Sequence, residues 1–167
     1  MAGQYAFSQD ASAISEEVKS LGRGKNDFRV VQELAQEPEL ATKSLIDELH
    51  PIQETRILNG ENDIEAEHIL WCLRALRYVT GGKDFCAKTS YKFGGSEEGK
   101  NREYWIYFKN KKCATFFAMW PARGTEYIAP QDAQAAIIQQ WKNWFAREGA
   151  EFHYQPMENP SPEDWLW

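Results

Sequence analysis

His68 and Cys72 stand four positions apart. On a helix that spacing brings both to one face, where a single metal ion can take a nitrogen and a sulfur. A closed site needs further ligands. His50, His153, Cys86 and Cys113 stand singly along the chain, with no second pair at ligand spacing. No metal is therefore expected. His68 reads as a hydrogen-bonded histidine near the core and Cys72 as a small buried hydrophobe.

Nucleophilic chemistry has an equally thin basis. A Cys–His pair between Cys86 and a distant histidine can be drawn in any chain with three of each. The glycine pairs Gly81-Gly82 and Gly94-Gly95, and Gly99, make neither a nucleophile elbow nor a phosphate-binding loop. Glu65 and Glu67 are two apart on a helix and face different directions. Glu97-Glu98 falls in a loop, away from the burial that raises a carboxyl pKa. The expectation is a protein that is not an enzyme and takes no cofactor.

What remains is charge and aromatic surface. The 167 residues carry a formal charge of −6, which opposes a nucleic-acid partner. The charge comes in blocks. Residues 47–67 hold seven acids and one base, residues 83–112 eight bases and four acids, and residues 148–167 five acids and no base. Within the first block, Glu54, Glu61, Asp63, Glu65 and Glu67 form the candidate partner-binding set. Such a cluster can steer an oppositely charged protein. The plainer reading of the same acids is a solvated surface. The basic block interleaves Phe85, Tyr91, Phe93, Tyr104, Trp105 and Tyr107, a composition that can stack single-stranded bases. It lacks the RNP signature and its flanks are acidic, so nucleic acid is not the expected partner.

These groups must be positioned by elements read from periodicity. Asp10 caps a helix over ASAISEEVKSLG, with Ile14, Val18 and Leu21 on one face and Gly22 as the stop. A second helix carries Phe28, Val31 and Leu34 and ends at Glu37-Pro38. Pro38 starts a third, with Leu40, Leu45, Ile46 and Leu49. The second and third together predict an αα-hairpin. The fourth, DIEAEHILWCLRALRYVTGG, is apolar over much of its circumference and so central, stopping at Gly81-Gly82. Trp71, Trp105, Trp120 and Trp141 are expected in the core. The aromatic runs 103–108 and 113–120 flank Lys109–Lys112 as a β-hairpin, and 126–129 suits a short third strand. Pro130 opens a last helix with Ala133, Ile137, Trp141 and Phe145, stopped by Gly149. Trp165 and Trp167 in the tail are expected to fold back.

The fold class that follows is α+β: an N-terminal bundle of about four helices, an aromatic-rich β-hairpin and a C-terminal helix. One domain spans 1–167, with a helical part at 10–82, hairpin plus final helix at 83–149, and a tail at 150–167. Three cysteines are too few and too odd for a disulfide framework. No apolar run reaches 18 residues, and MAGQYAFSQD has neither a basic residue nor an apolar stretch. A soluble, cytoplasmic protein is expected.

The stretch 28–81, FRVVQELAQEPELATKSLIDELHP followed by HILWCLRALRYVTGG, resembles HEAT-type helical units. The resemblance covers about a third of the chain. It implies a scaffold that binds other proteins on a helical face, without catalytic residues. The whole profile, short, single-domain and acidic, is similar to the small immunity proteins of bacterial toxin–immunity systems. That similarity implies an inhibitor that binds and neutralises a cognate toxin, such as a basic nuclease. The alternative is a helical scaffold or adaptor with another protein partner and, behind that, a nucleic-acid binder or small enzyme.

Overall fold

The structure is a computed structural model that describes residues 10–24, 26–53, 64–88, 113–120 and 125–160. In chain order its elements are α1 (Ala11–Ser20), α2 (Asp27–Leu34), α3 (Pro38–Glu48), α4 (Ile64–Val79), β1 (Phe117–Trp120), β2 (Thr125–Ile128) and α5 (Gln131–Trp144). A π-helical turn, Phe145–Gly149, extends α5. Among the described residues no helix is long and apolar enough to cross a membrane.

The helix starts follow from local chemistry. Asp10 is extended and its carboxylate accepts from the Ala13 N–H at 2.8 Å, satisfying one of the free donors of α1. Pro38 begins α3, where its missing N–H costs nothing. Glu65 and Glu67 lie in the first turn of α4 and Arg77 in its last, matching the helix dipole. Gly82 closes α4 by donating to the Arg77 carbonyl at 2.7 Å from a left-handed conformation (φ +101°).

α4 is the centre of the bundle. Ala66, His68, Ile69, Leu70, Cys72, Leu73, Ala75, Leu76 and Val79 are all buried on it. α3 packs on α4 and α1, and α2 packs on α1 and α4. The expected αα-hairpin of α2 and α3 is thus corrected: each makes its main contacts with α1 and α4 rather than with the other. α4 buries nine residues around much of its circumference, so it offers both neighbours more apolar surface than the shorter helices offer each other. Phe28 and Leu40, expected on buried faces, are 42% and 39% exposed, and Ile64 at the start of α4 is 60% exposed. Trp71 is half-buried, with the Arg74 guanidinium 5.0 Å from its ring centre, whereas Trp141 is fully buried.

The expected fold class is overturned. The described residues make a helical protein, and an aromatic-rich hairpin joining 103–108 to 113–120 is not supported. Residues 103–108 lie outside the described residues. β1 pairs antiparallel with β2 instead, in the register Phe117↔Ile128 to Trp120↔Thr125. Four residues a side is a ribbon, not a layer. In the sequence, 103–108 carries bulky residues at both alternating positions, so its pattern names no single buried side. The segment 125–128 follows β1 after a short connection, and nearby pairing closes at low entropic cost.

The ribbon is tied to the rest by a disulfide, which the cysteine count did not predict. Cys86 and Cys113 form a disulfide with their Cα atoms 5.6 Å apart. Their neighbours Ala87 and Ala114 exchange backbone hydrogen bonds of 2.9 and 2.8 Å. A count of three cysteines cannot say which two meet. Cys72, the third, is buried on α4 and free.

α5 starts at Pro130 and buries Ala133, Gln134, Ile137, Ile138, Trp141 and Trp144. The chain beyond it returns across the molecule. Tyr154 donates its hydroxyl to the Gly149 carbonyl, and Met157 donates its N–H to the Tyr78 carbonyl at 3.0 Å. The Gln155 carbonyl passes so close to Gly81 that a Cβ there would sit 2.6 Å from it. Trp165 and Trp167 lie outside the described residues.

Candidate functional site

The polar groups of the bundle converge where α1 ends, α3 ends and α4 begins. Gly22 sets this junction. Its φ of +74° reverses the chain after α1, and a Cβ there would lie 2.7 Å from the backbone of Glu67 and His68. Only glycine lets the α1 terminus sit on α4 so closely. The Gly22 N–H donates to the Asp27 carboxylate at 2.8 Å, which fixes the turn into α2.

This approach brings the Leu21 carbonyl over the His68 ring. Nδ1–H of His68 donates to that carbonyl at 2.8 Å. A carbonyl oxygen only accepts, so this nitrogen carries a proton. Nε2 lies 3.1 Å from Oε2 of Glu48 and 3.7 Å from Sγ of Cys72. His68 is 3% exposed, so its hydrogen bonds join the ends of α1 and α3 to α4 in a place water hardly reaches. Burial pushes the Cys72 thiol far up. The charge of Glu48 adds to this and that of Arg23 opposes it. A thiol held protonated is a poor nucleophile at neutral pH. Among the described residues no three His, Cys, Asp or Glu side chains gather at a cation site. The His68–Cys72 face is a structural latch.

A second histidine marks the outer edge of the junction. Nε2 of His50 lies 2.7 Å from Oε1 of Glu65, and its Nδ1 lies 3.0 Å from the Glu48 carbonyl. Burial lowers the pKa of this imidazole. The hydrogen bonds to Glu65 and to the Glu48 carbonyl, with the charges of both carboxylates, outweigh that and leave it raised above the ordinary 6.5.

The expected partner-binding set divides here. Glu54, Glu61 and Asp63 lie outside the described residues. Glu65 is exposed but engaged with His50, and Glu67 is half-buried beside Gly22. Other acids of the same block are also engaged: Asp47 pairs with Lys43 at 2.7 Å and Glu48 faces His68. Their charge is partly compensated within the chain, which reduces the long-range field available for steering. The partnership of His50 with Glu65 was missed because fifteen positions separate them; only the packing of α3 against α4 makes them neighbours.

The opposite end of the molecule carries an aromatic cluster. The Lys83 ammonium lies 5.0 Å from the Trp144 ring centre, 5.5 Å from Phe85 and 5.9 Å from Phe152. Such distances let the ring quadrupoles attract the cation. Phe85 meets Trp141 edge-on at 4.8 Å, and Phe152 meets Trp144 edge-on at 5.0 Å. The cluster fastens the segment after α4 and the segment after α5 to the same helix.

Comparison of the chain with protein-family models, with curated proteins and with solved structures gives no significant match.

Proposed function

We propose that this chain is a protein-binding module, in its most concrete form an immunity protein that binds and neutralises a cognate toxin. The observation that carries the reading is the corner at the start of α4. Ile64 is 60% exposed there, and the exposed carboxylate of Glu65 follows it directly. An exposed large apolar side chain at a helix end, with charge beside it, suits an interface anchor with a polar rim. The residues that precede this corner in sequence include the acids Glu54, Glu61 and Asp63 and the base Arg56. The steering part of the reading rests mainly on those residues, since the acids from Asp47 to Glu65 that are described have partners of their own.

The test purifies the chain together with the product of the gene directly beside its own and assays that product for toxin activity. Binding with loss of toxin activity is expected. Ile64→Asp should weaken the complex mainly through faster dissociation, and Glu65→Lys should slow association with a flatter salt dependence. A toxin that stays fully active at saturating chain concentration overturns the immunity reading. Unchanged binding by both variants removes this corner from the interface.

A further inference from the structure

We infer that Cys86–Cys113 is a structural disulfide of the working protein, and that the protein carries out its role in an oxidising compartment. The inference stands on the cysteines and does not rest on the partner-binding reading. The Cα separation of 5.6 Å lies within the range that disulfides adopt. More telling is that backbone groups, not sulfur alone, hold the two positions opposite each other. Ala87 and Ala114, the next residues along, exchange both of their hydrogen bonds. On one side the strand-like segment is fixed to α5, because the Cys86 carbonyl accepts from Nε2 of Gln140 at 3.0 Å and Phe85 stands edge-on against Trp141. On the other, the Phe116 carbonyl accepts from the Ala129 N–H at 2.9 Å, tying the segment after Cys113 to the start of α5. Both thiols are thus delivered to one another by the fold. The third cysteine cannot compete, since Cys72 is buried on α4 with its thiol held protonated.

Forming the bond takes two electrons and two protons from the pair. A thiolate of one cysteine attacks the disulfide of a thiol oxidoreductase. The second thiolate then attacks this chain's sulfur in that mixed disulfide, the Cys86–Cys113 bond forms as the mixed bond breaks, and the oxidoreductase is expelled as a dithiol. Bonds of this kind persist in oxidising compartments and are rare where glutathione and thioredoxin keep thiols reduced. This proposal differs from the cytoplasmic placement expected from composition. The bond bridges positions 27 apart and limits the unfolded chain, so it acts as a staple at the edge of α5.

The experiment traps thiols in the protein's native cells with N-ethylmaleimide before lysis, then denatures the full chain in fresh reagent and weighs it. One adduct, on Cys72, is expected, rising to three only after reduction with dithiothreitol. Three adducts without reduction overturn the inference. Purified oxidised chain should also melt about 10 °C above the Cys86→Ser/Cys113→Ser double variant. If that variant does not fold, melts of the wild-type chain with and without dithiothreitol make the same comparison. Equal midpoints overturn the staple.

Discussion

Gln134 and Ile52 face each other across 82 positions of sequence and exchange two hydrogen bonds. The Ile52 N–H donates to Oε1 of Gln134 at 2.8 Å, and Nε2 of Gln134 donates to the Ile52 carbonyl at 3.0 Å. The same Nε2 donates to the Ala129 carbonyl at 2.7 Å. One buried amide does the work of a strand edge, joining the chain after α3 to the start of α5. Gln134→Leu should leave three buried backbone groups unpaired and cost about 3 kcal/mol. Urea unfolding measures this, and a loss below about 1 kcal/mol rejects the assignment. Gln134→Glu should not rescue, because a carboxylate cannot donate to the two carbonyls.

Two glycines separate backbone strain from steric contact. Gly22 and Gly82 both have positive φ, but a Cβ at Gly22 meets the α4 backbone at 2.7 Å while one at Gly82 meets nothing within 4 Å. Gly82→Ala should cost about 1 kcal/mol, the left-handed penalty alone. Gly22→Ala should cost clearly more and should also displace His68 from Leu21. Comparable losses for the two variants would show that α1 does not need its close seat on α4.

The His50–Glu65 contact gives a pH signature of defined sign. The folded imidazole titrates above 6.5, so its contribution to stability is complete below that value and is lost as pH rises through the higher, folded pKa. Both side chains are about half exposed, so the gain is small and screened by salt. In an NMR titration His50 should titrate above 6.5, and Glu65→Gln should lower its midpoint. A midpoint unmoved by that substitution refutes the pairing.

Two tryptophans on helix faces should respond differently to truncation. Trp141→Ala removes a fully buried ring in contact with Phe85 and Trp144 and should cost about 3–5 kcal/mol. Trp71 is half-buried, so Trp71→Ala should cost about half as much or less on the same grounds of lost burial. Chemical denaturation of the two variants orders them, and a larger loss at Trp71 would place α4 the wrong way round.

Helices were legible because their signals are local. The Asp10 cap, the proline at the start of α3, the 3.6-residue stripe of Ile14, Val18 and Leu21, and the glycine stop after α4 all act within a turn or two of the residues that carry them. The candidate site was legible only in part. The acidity of residues 47–67 is plain in the chain, but which carboxylates are engaged is not. Glu48 reaches His68 twenty positions on, and Glu65 reaches back fifteen to His50.

The sequence by itself determined the helices, their starts and the apolar face of α4, and their ends to within a few residues, because backbone hydrogen bonding, capping and side-chain periodicity are set by neighbours along the chain. Tertiary structure alone decided that α2 and α3 pack on α1 and α4 rather than on each other, that β1 pairs with β2, and that Cys86 meets Cys113. It also decided that Ile64 stays in water while His68, one turn along, is sealed between three helix ends. These outcomes depend on which surfaces meet in three dimensions. An apolar residue records only that burial is favourable, and a cysteine or carboxylate only that a partner would help; neither names the partner.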